Sequence, residues 1–77
     1  MKDLIELIAK KLVSHPEDVQ VRVIDRADGQ AYELRVHPDD MGKIIGKNGR
    51  TAKALRTLLN SAASKQDIRA NLQIGEE

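Results

Sequence analysis

One ten-residue stretch in the middle of the chain, Gly42–Thr51 (GKIIGKNGRT), constrains the fold more than any other part of the sequence. Two glycines bracket Lys47 and Asn48, an aliphatic pair precedes them, and a helix-forming run follows them. Glycine permits the positive φ of a tight reversal and lets another backbone come close, and asparagine tolerates the left-handed region. The stretch therefore predicts a short loop that leaves one helix at Gly46 and enters another near Gly49.

Such a loop suits a phosphate group, because the first amides of the second helix point outward and carry partial positive charge. Lys47 and Arg50 lie at the loop and at the start of that helix, so we assign them to backbone phosphates. The P-loop motif is excluded, because the glycine spacing is too short, no Ser or Thr follows the lysine, and a helix rather than a strand precedes it. An ordinary connection between two helices, with solvated basic residues, remains the alternative.

Hydrophobic periodicity around this loop predicts three helices and three strands. The first helix runs from Lys2 to Val13 and ends before Pro16, because the residue that precedes a proline is pushed out of helical geometry. A short helix begins at Pro38 and stops at Gly46, and a longer one starts near Gly49 and ends at about Ser64. The buried stripe of the longer helix is predicted to be Ala52, Leu55, Leu59 and Ala62. Its solvent-exposed side is predicted to carry Arg50, Lys53, Thr57 and Asn60.

The strands are predicted from residues that alternate between apolar and polar types. Val19–Ile24 and Tyr32–Val36 form an antiparallel hairpin, with its reversal at Asp28-Gly29. Ile68–Ile74 is the last strand, after a short connection at Lys65–Asp67 and before a frayed end at Gly75–Glu77. Because a helical crossover joins the second and third strands, these two are expected to be parallel. The prediction is an α+β fold of order α-β-β-α-α-β, with three helices packed on one face of a mixed three-stranded sheet.

Length and composition set limits on both structure and function. With 77 residues and no cysteine, the chain has room for one domain, residues 1–77, without disulfides. The formal net charge is only +1, so any affinity for nucleic acid must come from the distribution of charge. Tyr32 is the one aromatic residue, which disfavours modules that stack bases on aromatic platforms. The N-terminal segment has no uninterrupted apolar core, so we expect a soluble, cytoplasmic protein without a signal peptide or membrane span.

The sequence of Ile44–Arg50 (IIGKNGR) resembles the GXXG signature of KH domains, which clamp about four nucleotides of a single strand. The residues just before and just after the signature also look like this family, and the resemblance covers nearly the whole chain. The element order is similar to the type II, prokaryotic arrangement, and the length to the small stand-alone bacterial KH proteins. The resemblance implies an RNA-binding site at Lys43, Ile45, Gly46, Lys47, Asn48, Gly49, Arg50, Thr51 and Lys53.

Any sequence preference should come from the groove beside the loop. Its predicted walls are Ile44 and Ile45 from the short helix, Thr51 and Leu55 from the long helix, and Ala70 and Leu72 from the last strand. The alternative is that these residues are simply core. Arg56 points away from Arg50 and Lys53 on a helical wheel, so we interpret it as part of a solvated helix face.

The same helix wheel places Leu58 at the edge of the apolar arc, between the small residues Ala54 and Ser61. Small neighbours let a second helix come close, so we expect a homodimer or a KH–KH heterodimer with Ala54, Leu58 and Ser61 at the interface. The alternative is that Leu58 packs under the sheet edge or the first helix. The family resemblance also implies dimerisation, with a second copy or with a Jag-type KH partner.

Nothing in the sequence resembles a nucleophile with its base or a cluster of metal ligands, so no enzyme activity, metal or cofactor is predicted. His15 and His37 each adjoin a proline, and we interpret both as turn or cap residues. The leading hypothesis is a single-stranded RNA-binding protein of broad specificity. The resemblance adds post-transcriptional control and cell elongation or division. A protein-interaction subunit and a ribosome-associated factor are the alternatives.

Overall fold

The structure, a computed structural model, describes residues 2–76. Each predicted element is present, in the predicted order, with boundaries that differ by a few residues. Three 3₁₀ turns, Pro16–Asp18, Pro38–Asp40 and Lys47–Gly49, join these elements. The helices and strands are α1 (Lys2–Leu12), β1 (Gln20–Arg26), β2 (Gly29–Val36), α2 (Met41–Ile45), α3 (Arg50–Lys65) and β3 (Ala70–Glu76).

The sheet has the strand order β1-β2-β3, with β2 in the centre. The β1 and β2 strands pair antiparallel, and Arg26 lies opposite Gly29 across a two-residue turn. The β2 and β3 strands pair parallel, as predicted, because α2 and α3 carry the chain back to the same end of the sheet. The predicted frayed end was wrong at Gly75 and Glu76, which pair with Arg35 and Val36, and its last residue lies outside the described residues.

Side chains alternate between the two faces of the sheet, so one face is apolar and covered by the helices. Val21, Leu34 and Leu72 are among its buried residues. They pack with Ile5 of α1, Ile44 of α2 and Leu55 and Leu59 of α3 in one core. The order, the mixed sheet and the single helical layer are those of an α+β fold of the type II KH class.

The helices bury narrower stripes than their sequences indicate. In α1 only Ile5 and Ala9 are fully buried, whereas Leu4, Leu7 and Leu12 are 40–54 % exposed. In α3 the buried stripe ends at Ala63 instead of the predicted Ala62, which is half-buried. No helix within residues 2–76 combines the length and the apolar character that crossing a membrane requires.

Candidate nucleic-acid interface

The loop between α2 and α3 has the left-handed geometry that its sequence predicts. Gly46, Asn48 and Gly49 have φ values of 76°, 58° and 72°, and all other residues of the loop have ordinary φ. Gly46 ends α2 by donating its N–H to the Gly42 carbonyl at 2.8 Å, and the Gly49 N–H donates to the Gly46 carbonyl at 3.1 Å. The reversal is therefore completed in one 3₁₀ turn, Lys47–Gly49.

The two glycines are required for different reasons. A Cβ at Gly46 would overlap the Thr51 side chain and would lie 2.9 Å from the Thr51 backbone nitrogen. A Cβ at Gly49 would meet no atom within 4 Å, so only the positive φ favours glycine there. Gly46 thus holds the loop against the first turn of α3, and Gly49 leaves open space beside it.

The loop presents polar and basic groups to solvent at the N-terminus of α3. Lys47, Asn48, Arg50 and Lys53 are exposed. No side chain caps the first amides of α3, since its N-cap residue is Gly49. The first of these amides, the Arg50 N–H, donates to the Lys47 carbonyl. The positive end of the dipole of this 16-residue helix therefore lies beside two exposed lysines and an exposed arginine. An anion is the ligand that this arrangement favours.

Lys43 is predicted at the same site, but in the structure it contacts a different part of the chain. Its ammonium donates to the Ser14 hydroxyl and lies 3.7 Å from the Asp40 carboxylate. The Ser14 contact ties α2 to the segment that follows α1, whereas the Asp40 contact is local, three residues back in the chain. Lys43 is still solvent-exposed, and its contact with RNA stays a prediction.

Asp40 is the one buried charged residue among the described positions, with 1 % of its surface exposed. Its carboxylate accepts the backbone N–H groups of Ser14 and His15, each at 3.0 Å. Burial raises the pKa of Asp40, but these two hydrogen bonds and the charges of His15 and Lys43 outweigh it and leave the pKa below its ordinary value. The sequence indicates only a helix-start aspartate. The structure shows instead a link across 26 residues that fixes the position of α2.

The predicted groove walls divide into accessible and buried residues. Ile45 is 39 % exposed, and Thr51 and Ala70 are half-buried, so these three are available to a ligand. The prediction was wrong for Ile44, Leu55 and Leu72, which are 0–4 % exposed and belong to the core. The accessible groove is therefore shallower than its sequence indicates.

Arg56 is exposed, as the sequence predicts, and its side chain also contacts the edge strand β3. Its Nε donates to the Leu72 carbonyl at 3.4 Å, so the guanidinium crosses from the helix to the strand. Further along the same two elements, a surface pocket of about 490 Å³ is lined by Asn60, Ser64 and Asp67–Ala70. A helical wheel does not reveal the contact of Arg56 with β3, because the position of β3 decides which side of α3 borders the groove.

The two histidines meet although they are distant in sequence. The rings of His15 and His37 lie edge to face at a centroid distance of 4.2 Å. With Asp39 they place three potential metal ligands within 4.8 Å of one another, which the sequence does not reveal. However, His37 Nδ1 already accepts the Asp39 N–H at 3.0 Å, and the Asp39 side chain is 79 % exposed. We therefore interpret His37 as a cap residue, as its sequence predicts.

The surface proposed for association is open to solvent. Leu58 is 44 % exposed, and its neighbours Ala54 and Ser61 on the same side of α3 are exposed as well. Leu58 is therefore not fully buried under the sheet edge or α1. The interface itself stays a prediction.

Known proteins share this sequence over nearly its whole length. The model of the KhpA/KhpB KH domain matches residues 2–74. The RNA-binding protein KhpA of Halalkalibacterium halodurans is 57 % identical over 74 residues, which cover 96 % of this chain and 97 % of the relative. The RNA-binding protein KhpA of Clostridium perfringens is 49 % identical over 74 residues, which cover 96 % of this chain and 99 % of the relative. That of Chlamydia pneumoniae is 48 % identical over 77 residues, which cover all of this chain and 99 % of the relative. With its loop, sheet order and extent of similarity, the chain belongs to the KhpA/KhpB family of KH domains.

Proposed function

We propose that this chain is a cytoplasmic, non-enzymatic protein that binds single-stranded RNA with broad sequence specificity. The observation that carries the proposal is the Gly46–Gly49 loop, whose left-handed backbone places exposed Lys47 and Arg50 at a helix N-terminus that no side chain caps. Its relatives are named RNA-binding proteins, which supports RNA as the anion.

In this proposal the loop clamps the phosphate backbone. Gly46 and Gly49 give a phosphate access to the backbone, and Lys47, Arg50 and Lys53 neutralise its charge. The bases lie along Ile45, Thr51 and Ala70, beside Arg56. These walls are shallow and carry no aromatic ring, so they discriminate weakly between bases. Single strands bind better than duplexes, because paired bases cannot enter the groove.

The test replaces Lys47 and Asn48 with Asp, which places two carboxylates against the phosphates and the helix N-terminus. Both side chains are exposed, so the circular dichroism spectrum and melting temperature should stay close to those of the parent. We expect affinity for a short single-stranded RNA to fall by at least tenfold in fluorescence anisotropy, an order of magnitude that two lost charge-assisted contacts justify.

A matched control removes the same charge from another surface. Lys2→Asp combined with Lys11→Gln lowers the net charge equally on α1, where both lysines are exposed. This control should bind RNA like the parent. If the loop variant also binds like the parent, the phosphate clamp is disproved.

A second candidate function, pairing with another KH protein, is favoured by the exposure of Leu58 between two small residues. We propose that Ala54, Leu58 and Ser61 form the interface of a homodimer or of a heterodimer with a Jag-type partner. Both functions are compatible, since two weak clamps in one assembly gain avidity without new contacts. The biological role we propose is post-transcriptional control that affects cell elongation or division.

A further inference from the structure

The face of the sheet opposite the helices, which we call the open face, is rich in arginine. The strand register places Arg22, Arg26 and Arg35 on it, because Val21 and Leu34, which alternate with them, point into the core on the other face. Arg69, just before β3, continues the row beside Gly29. Glu33 is the one acidic residue on the strands of this face, and it pairs with Arg35 at 2.7 Å. Four arginines against Glu33 and the turn residue Asp28 still contrast with a net charge of +1 for the whole chain.

The other residues of the open face are small or hydrogen-bonding. Gln20, Asn71 and Gln73 are exposed, Ala31 is covered, and Ile24 is the only large apolar side chain, 39 % exposed. A protein interface would need an apolar centre, which this face does not have. Guanidinium groups among amide side chains fit a phosphate backbone, because arginine can bind phosphate through two parallel hydrogen bonds.

The open face is connected to the groove around the start of β3. One pocket, about 290 Å³, lies on the open face between Arg26 and Arg69, with Asp28 at its margin. A second pocket lies between α3 and β3, on the helix side. Arg69 and Ala70 line both pockets, so a chain that follows the groove can pass over Arg69 to the open face.

The length of α3 sets how much RNA this path takes. From Arg50 to Lys65 the helix spans about 24 Å at 1.5 Å per residue. A KH groove holds about four nucleotides. An RNA strand that is clamped at Gly46–Gly49 can run along α3. The nucleotides beyond the clamped ones then lie at the start of β3.

We propose that the open face is a second, sequence-independent binding surface for the phosphate backbone of the same RNA, formed by Arg22, Arg26 and Arg69 and reached past the start of β3. The proposal rests on RNA binding at the loop and adds to its footprint. Short RNAs occupy the groove alone, whereas longer RNAs also occupy the open face. Affinity therefore increases with RNA length beyond what the groove accommodates.

The test compares two uridine-rich RNAs, of about 4 nucleotides to fill the groove alone and about 16 nucleotides to extend past it. The double variant Arg22→Gln and Arg26→Gln keeps polar side chains, avoids a new acid beside Glu33, and leaves Arg69, which also lines the groove pocket, unchanged. We expect it to bind the short RNA like the parent. For the long RNA, the negative slope of log affinity against log salt should become shallower by about 1.4, at ~0.7 per lost phosphate contact.

Two further variants make the result specific. Lys2→Gln with Lys11→Gln removes the same charge from α1, where both lysines are exposed, and should leave the long-RNA slope unchanged. If this control and the arginine variant weaken long-RNA binding equally, the effect is one of net charge and the inference is wrong. If the arginine variant leaves the long-RNA slope unchanged, the inference is also wrong, and the loop proposal is unaffected.

The loop variant separates the two proposals. Lys47→Asp with Asn48→Asp should lower the affinity for the short RNA by at least tenfold, and short-RNA binding equal to that of the parent overturns the loop proposal independently of the arginine result. Analytical ultracentrifugation without RNA tests the remaining alternative, that the open face binds a protein instead of RNA. If the arginine variant changes the association state while its RNA binding equals that of the parent, the open face binds an acidic protein surface and the RNA inference is overturned.

Discussion

At the scale of single residues, the loop shows how one amino-acid type can serve two physical purposes. The sequence predicts positive φ at Gly46 and Gly49, and both have it. What the sequence does not contain is the distance between Gly46 and Thr51, because this contact depends on the angle at which α3 leaves the loop. Only the structure distinguishes a glycine required for space from a glycine required for conformation.

This difference predicts unequal effects of substitution. Gly46→Ala combines positive φ with overlap on Thr51, so we expect it to lower the free energy of unfolding by about 1–3 kcal/mol. Gly49→Asn meets open space and a conformation that asparagine tolerates, so we expect a change below about 1 kcal/mol. Urea denaturation of both variants measures the difference. Equal losses would mean that the Thr51 contact contributes nothing.

Asp40 makes the stability of the fold depend on pH. Its pKa in the folded protein is below the ordinary value of 3.8, so the unfolded chain binds a proton more readily. The contribution of Asp40 is therefore fully present above about 3.8 and is lost as the pH falls through the lower, folded pKa. We expect Asp40→Asn to be less stable than the parent near neutral pH and to lose less stability on acidification.

The matched control for this prediction is Asp39→Asn, because Asp39 is its exposed neighbour. Urea denaturation between pH 7 and pH 3 compares the three proteins. The control should follow the parent over the whole range. If the parent and Asp40→Asn show parallel pH dependence, the hydrogen bonds from Ser14 and His15 do not favour the carboxylate.

At the scale of elements, α3 has three different surroundings around one helix. Leu55 and Leu59 face the core, Arg56 and Asn60 border the groove beside β3, and Leu58 faces solvent. Its periodicity predicts the buried side correctly to within one position, because burial dominates the spacing of apolar residues. Periodicity cannot distinguish the groove side from the solvent side, since both carry polar residues.

The exposed Leu58 predicts that association depends on α3. Leu58→Lys should give a folded monomer at concentrations where the parent is dimeric in analytical ultracentrifugation, because a charge would be buried at the interface. Leu7→Lys is the matched control, since Leu7 of α1 is 54 % exposed and lies on another helix. A parent that remains monomeric at high micromolar concentration would contradict homodimerisation. A dimer that Leu58→Lys leaves intact would place the interface elsewhere.

At the scale of the whole molecule, local sequence patterns predict the helices, the strands and the loop. The features that they do not predict depend on contacts between residues distant in the sequence. Gly75 and Glu76 have a weak intrinsic preference for strands, and they extend β3 because they pair with β2. The burial of Ile44 and Leu72 follows from how closely α2 and β3 approach the core. The Asp40 link joins residues 25 and 26 positions apart, which no pattern in a single sequence encodes.

The charge distribution of the whole molecule predicts how RNA binding responds to salt. A net charge of +1 gives little long-range attraction for RNA. The salt dependence of the affinity should therefore reflect the number of local phosphate contacts at the loop. If about two to four phosphates of a short RNA are neutralised, log affinity should fall with log salt at a slope of roughly −1.5 to −3. Anisotropy titrations of a groove-length RNA between 50 and 400 mM KCl measure it. A flat response would show that the short RNA is not held by its phosphates, and a duplex of equal length that binds as tightly would exclude the narrow groove as its site.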